Sequence, residues 1–188
     1  MSHSKILRLA VSTLVAGLAS AAVASPPAQS NANRPEGSWL LTVSFPAQGT
    51  NPPLSFKEIV TLHAGGTLTE TNSTLNAASG VLGFGEGSFG LIGSDGQGTW
   101  QRDQSGRIET VFRKMVFCGT AVGLCSQFGK TQGQFFGYLV VRLTATVKGD
   151  ALVSPFGSSD TNLVVGETPD SPIVIPFGQA EATGTRLR

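Results

Sequence analysis

What this chain lacks narrows its class before any motif is read. Past its first two dozen residues it holds no apolar run of the roughly 20 residues that a bilayer-crossing helix needs. It has two cysteines and two histidines in 188 residues, so neither a multi-disulfide scaffold nor a histidine-rich metal centre is on offer. There is no C-x-x-C pair and no G-x-S-x-G nucleophile elbow. Charge is sparse and balanced, with 13 basic against 12 acidic residues. No basic stripe marks a nucleic-acid partner, and no charge block marks a polyanion or lipid headgroup. A capped helical pattern is also missing beyond the first residues.

What is present begins with processing information. Lys5 and Arg8 precede a small, apolar run from Leu9 to Ala22, and Ala22-Val23-Ala24 offers the small-residue site that a signal peptidase cuts. The reading is a secretory signal over residues 1–24, cleaved after Ala24, and a secreted or periplasmic mature chain. A membrane anchor or a buried helix is the alternative, for which the run is short. Cleavage removes two basic residues and no acidic one, leaving a slightly negative chain with no membrane span. Residues 25–35 are polar and proline-rich, as expected of a flexible leader, and residues 36–188 are long enough for one domain with a core.

From Gly37 onward the apolar residues recur with period two. Trp39, Leu41, Val43 and Phe45 share one face of the first segment, and Ser38, Thr42 and Ser44 the other. Phe56, Glu58, Val60 and Leu62 alternate with Lys57, Ile59, Thr61 and His63, before a Gly65-Gly66 turn and a return from Thr67 to Ser73. Further strands are expected over 98–102, 107–117, 134–148, 160–165, 173–175 and 179–187. Six of the eleven phenylalanines precede a glycine, a pairing that suits tightly bent strands. The pattern predicts an all-β fold, a single antiparallel up-and-down barrel of about eight strands.

Several motifs admit a chemical reading beside a plainer one. Cys118 and Cys125, close in an exported chain, are expected to close a disulfide, with a redox or metal pair as the alternative. Gly85-Glu-Gly-Ser-Phe-Gly90 matches G-x-G-x-x-G, but no βαβ pattern surrounds it and no G-K-[ST] follows it, so the glycine-rich 80–98 stretch reads as a loop or poorly paired strand, or as a flap over one end of the barrel. Asn72-Ser-Thr74 is a glycosylation sequon. His63 is a candidate general base or an ordinary turn residue. Glu58, Glu70 and Glu109 lie inside strands; Glu58 shares a face with Phe56 and Val60, and Glu70 with Leu68. A carboxyl facing inward is costly unless paired or protonated, and then serves as an acid or as an anchor for a polar ligand group. The alternative is a face turned to solvent. Arg107, Arg113 and Arg142 are possible partners. No cofactor and no metal site is expected.

Gly37-Ser38-Trp39 at the head of the first strand resembles the G-x-W signature of lipocalins and the wider calycin group. That resemblance implies a barrel whose last strand lays a basic residue over the tryptophan, with Arg186 or Arg188 in the right sequential place. The usual second lipocalin motif, T-D-Y-x-x-Y, is absent, as is a C-terminal helix. The resemblance implies an exported binder of one small apolar molecule, with Trp39, Phe56, Phe112, Phe135 and Tyr138 as candidate lining residues. Two other readings remain open: a cyclase or isomerase barrel of allene-oxide-cyclase type using Glu58 or Glu70, and a filled barrel with a structural or surface-interaction role.

Overall fold

The computed structural model describes residues 33–47, 53–72, 90–119 and 123–188. The signal, most of the leader, the sequon's Ser73 and Thr74 and the glycine-rich residues 80–89 lie outside the described residues. In chain order the elements are β1 (Gly37–Phe45), β2 (Leu54–Leu62), β3 (Thr67–Asn72), β4 (Leu91–Gly93), β5 (Gly96–Arg102), β6 (Ile108–Cys118), α1 (Leu124–Gln127), β7 (Phe135–Lys148), β8 (Ala151–Ser154), β9 (Ser159–Val165), β10 (Ile173–Gly178) and β11 (Glu181–Arg186).

Pairing turns these pieces into a closed barrel. β1 pairs antiparallel with β2, β2 with β3, β3 with β5, β5 with β6, and β6 with β7. β7 then pairs with β8, β8 with β11, and β11 with β1, so the circuit closes on eight antiparallel strands. The extra segments continue those strands past an interruption. β4 extends β5 along β6, β9 extends β8 along the same edge of β7, and β10 extends β11 beside β9. Ser159 pins two of the interruptions together, because its hydroxyl donates to the Ala180 carbonyl and accepts from the Ala180 amide, both at 2.8 Å. The glycine of Phe136-Gly137 lies at the bulge in the β6–β7 ladder, and Phe156-Gly157 lies in the break between β8 and β9. These two Phe-Gly pairs mark places where the wall bends, whereas Phe128-Gly129 lies in the connection after α1.

Alternation decides which residues fill the interior. Trp39, Leu41, Val43 and Phe45 are buried while Ser44 and Thr42 between them are half-buried. Ile108, Phe112 and Val116 of β6 face the same interior. One apolar cluster runs from Trp39, Leu62, Leu68 and Ile108 at one end along β1 and β2 to Phe45 and Phe56, and a second surrounds Leu91, Cys118, Phe136 and Leu163 at the other end.

The two ends differ in their connections. Short turns at 63–66, 103–107 and 149–150 close the end where β1 starts. The opposite end carries the long connections 46–53, 73–90, 119–134 and 166–172. The one-turn helix α1, too short to leave a periodic signal, lies in the third of these and carries Cys125, which is disulfide-bonded to Cys118 with Cα atoms 5.9 Å apart. In an eight-residue loop such a link is worth about 2–3 kcal/mol in the chain-entropy model.

Candidate functional site

The end where β1 starts is sealed. Trp39 has no exposed surface, its indole Nε1 donates to the Pro35 carbonyl at 2.8 Å, and the Arg186 guanidinium carbon lies 4.2 Å from the ring centroid. Arg186 also donates to the Glu36 carbonyl at 2.5 Å and to the Arg34 carbonyl, so residues 34–36 form a strap across the barrel floor. Gly37 allows this arrangement, because its φ is 124° and a Cβ there would meet the Arg186 side chain at 2.8 Å. Arg188 instead pairs with Asp150, at 2.5 Å.

Accessibility rises from that floor to the opposite end along the inner face of β2. Leu62 is 2% exposed, Val60 5% and Glu58 8%, while Phe56 and Leu54 beyond them are half-buried. Phe56 stacks on Phe45, with ring centroids 6.3 Å apart. On its β2 side the long-connection end is thus an apolar, partly accessible mouth with Glu58 at its depth limit, while Leu91, Val116, Phe136 and Leu163 pack its β4, β6, β7 and β9 side closed.

Beside Glu58 the interior turns polar. Lys114 of β6 reaches across to Glu70 of β3, its Nζ 2.8 Å from one carboxylate oxygen and 3.2 Å from the other, and neither side chain has more than 1% exposure. Gly96 leaves room for that carboxylate, since a Cβ there would meet Glu70 Oε2 at 2.6 Å. Glu58 is a register neighbour of Leu41 and Asn72, and Glu70 lies one inward position away, opposite Val60. No hydrogen bond or ion pair holds the Glu58 carboxyl among the described residues. Burial pushes its pKa up to about 8, helped by the negative Glu70 and opposed by Lys114. Near neutrality Glu58 is therefore mostly a neutral acid, able to donate a hydrogen bond or a proton.

The five candidate lining residues separate. Phe56 lines the mouth and Phe112 is buried in the interior, whereas Trp39 plugs the floor. Phe135 and Tyr138 are on the outer wall, opposite Phe117 and Met115, where Phe135 packs edge-on against Phe117 and Tyr138. Neither of these two expected lining residues faces the interior: Tyr138 points outward by plain alternation, opposite the exposed Met115, and the bulge at Phe136 shifts the ladder by one residue and so turns Phe135 outward as well.

The other candidates lie apart from the site. His63 is exposed in the β2–β3 turn, 3.3 Å from the Thr69 hydroxyl, with its carbonyl accepting from Trp100 Nε1 at 2.9 Å. Glu109 accepts from Gln101 on the outer wall, Arg107 pairs with Asp103 and Arg142 with Asp160. None of the three arginines considered as partners reaches Glu58 or Glu70. The missed residue is Lys114, and a signal for it exists: it alternates in step with Phe112 and Val116, which assigns it to the inner face.

A groove of about 250 Å³ where β3 and β5 part is lined by Ile59, Thr61, Thr69, Glu70, Thr71, Asp95, Gly96 and Gln97, and so reaches the wall behind the Lys114–Glu70 pair. Among the described residues no three His, Cys, Asp or Glu side chains form a metal-binding group, and no helix is long and apolar enough to cross a membrane. Comparison with protein-family models, curated proteins and solved structures finds no match to this chain.

Proposed function

We infer that this chain is an exported, calycin-like barrel that carries or sequesters a small, mostly apolar molecule in its mouth. One observation carries the reading: the barrel is sealed by Trp39 and Arg186 at one end, and along β2 its inner face becomes progressively accessible past Glu58 to Phe56 and Leu54 at the other. A barrel of eight strands is wide enough to hold one small ligand. Export is supported by the signal-like residues 1–24 and by a formed disulfide, which persists in oxidising compartments. The test is calorimetric titration of the mature chain with fatty acids, terpenoids and apolar pigments. Saturable binding of at least one class supports the carrier; no heat from any of them favours a filled barrel with a structural or surface role.

A second reading has one specific observation in its favour. An inward-facing carboxyl that keeps its proton near neutrality suits acid chemistry on a molecule held by shape alone, as in a cyclase or isomerase barrel. Product analysis after incubating the wild type and Glu58→Gln with unsaturated epoxides tests it; turnover lost in the variant supports the enzyme, and equal turnover in both contradicts it.

A further inference from the structure

We propose that Glu58 is the polar anchor of the bound molecule, donating a hydrogen bond from the depth of the mouth to an uncharged acceptor oxygen, and that the site discriminates against carboxylates. The proposal rests on the carrier reading and names the ligand chemistry that reading leaves open. Glu58 is more than nine-tenths buried, faces inward and has no hydrogen-bond partner among the described residues. A hydrogen bond from this acid to a ligand oxygen held in the mouth is worth about 0.5–1.5 kcal/mol net.

The surrounding charges select the kind of oxygen. From β3 the group facing Glu58 is Glu70, from β6 it is Lys114, and β1 contributes the apolar Leu41. Among the described residues Lys114 is the only lysine or arginine buried in the interior, and Glu70 already neutralises it. With Glu58 protonated the trio is neutral. An incoming carboxylate would find no free cation and would face Glu70 across a poorly solvated gap, where like charges repel strongly. A ketone, ether or alcohol oxygen meets only the Glu58 O–H. Apolar contact with Phe56, Leu54 and Val43 then accounts for the rest of the molecule.

The test titrates the mature chain calorimetrically with a chain-matched set, 2-decanone, decanoic acid and decane, at pH values well below and well above the about 8 at which Glu58 ionises. The expected result at the lower pH is 2-decanone binding about tenfold more tightly than decanoate, the worth of one good hydrogen bond, with the preference for ketone over decane lost at the higher pH. Glu58→Gln, whose amide still donates, keeps the ketone affinity and removes its pH dependence. Glu58→Leu loses about tenfold for the ketone and nothing for decane. Circular dichroism checks that each variant is folded. Equal binding of ketone and acid, or ketone affinity unmoved in Glu58→Leu, overturns the anchor while leaving the carrier intact. No binding of any probe overturns the carrier itself, and the anchor with it.

Discussion

Arg186 and Trp39 meet face on at the floor of the barrel, joining the last strand to the first across nearly the whole length of the chain. The same guanidinium holds the carbonyls of Arg34 and Glu36 and lies 3.3 Å from Asp150. Arg186→Ala should therefore lower unfolding free energy by about 2–4 kcal/mol, from the lost cation–π contact and the two abandoned carbonyls. Arg188→Ala, which removes only an exposed pair, should change it by less than about 1 kcal/mol. Urea denaturation of both variants checks the contrast.

The Lys114–Glu70 pair is buried on both sides, so its members are costly to remove singly. Lys114→Met leaves an uncompensated carboxylate and should destabilise by about 3–5 kcal/mol. The double variant Lys114→Met/Glu70→Leu should regain most of that loss, since apolar side chains of similar volume often replace a buried pair without penalty. A double-mutant cycle measures the coupling, and a double variant no more stable than Lys114→Met would contradict this account of the pair.

Glu58 has the opposite pH signature to a salt-bridged carboxylate. Its pKa is raised in the folded state, so between the ordinary carboxylate value and about 8 the native chain binds more protons than the unfolded chain. Stability contributed by the neutral group is full below the unfolded value and is lost as pH rises toward about 8, by a few kcal/mol in all. Glu58→Gln should flatten that decline and exceed the wild type in stability above it. Thermal melts across this pH range provide the comparison.

Reduction of Cys118–Cys125, or its replacement by two alanines, should cost about 2–3 kcal/mol. The disulfide borders the cluster of Leu91, Phe136 and Leu163, so amide exchange should accelerate there first and leave the Trp39 floor protected. Hydrogen exchange resolved by residue distinguishes this from uniform loosening.

Strand periodicity made the barrel legible because each inner face alternates cleanly, as β1 shows from Trp39 to Phe45. Gly37-Ser38-Trp39 and the terminal arginines pointed to the floor, though which arginine stacks depends on register, and only Arg186 is opposite Trp39. The same alternation put Glu58 on one face with Val60 and Glu70 with Leu68, but left open whether those faces turn inward, as they do. Along β7 a bulge invisible in the residue types turned Phe135 outward, onto the face that Tyr138 occupies by plain alternation with Leu139. The Lys114–Glu70 contact was out of reach because it joins strands 44 positions apart, and nothing local specifies such a partner.

The most direct measurement of the central claim is residue-resolved NMR of the mature chain during titration with 2-decanone. The account predicts saturable shifts confined to the inner mouth, at Val43, Phe56 and Glu58, with Trp39 and the outer-wall Tyr138 unmoved. Shifts centred on Tyr138 and Phe135, or none at saturating ligand, would contradict it.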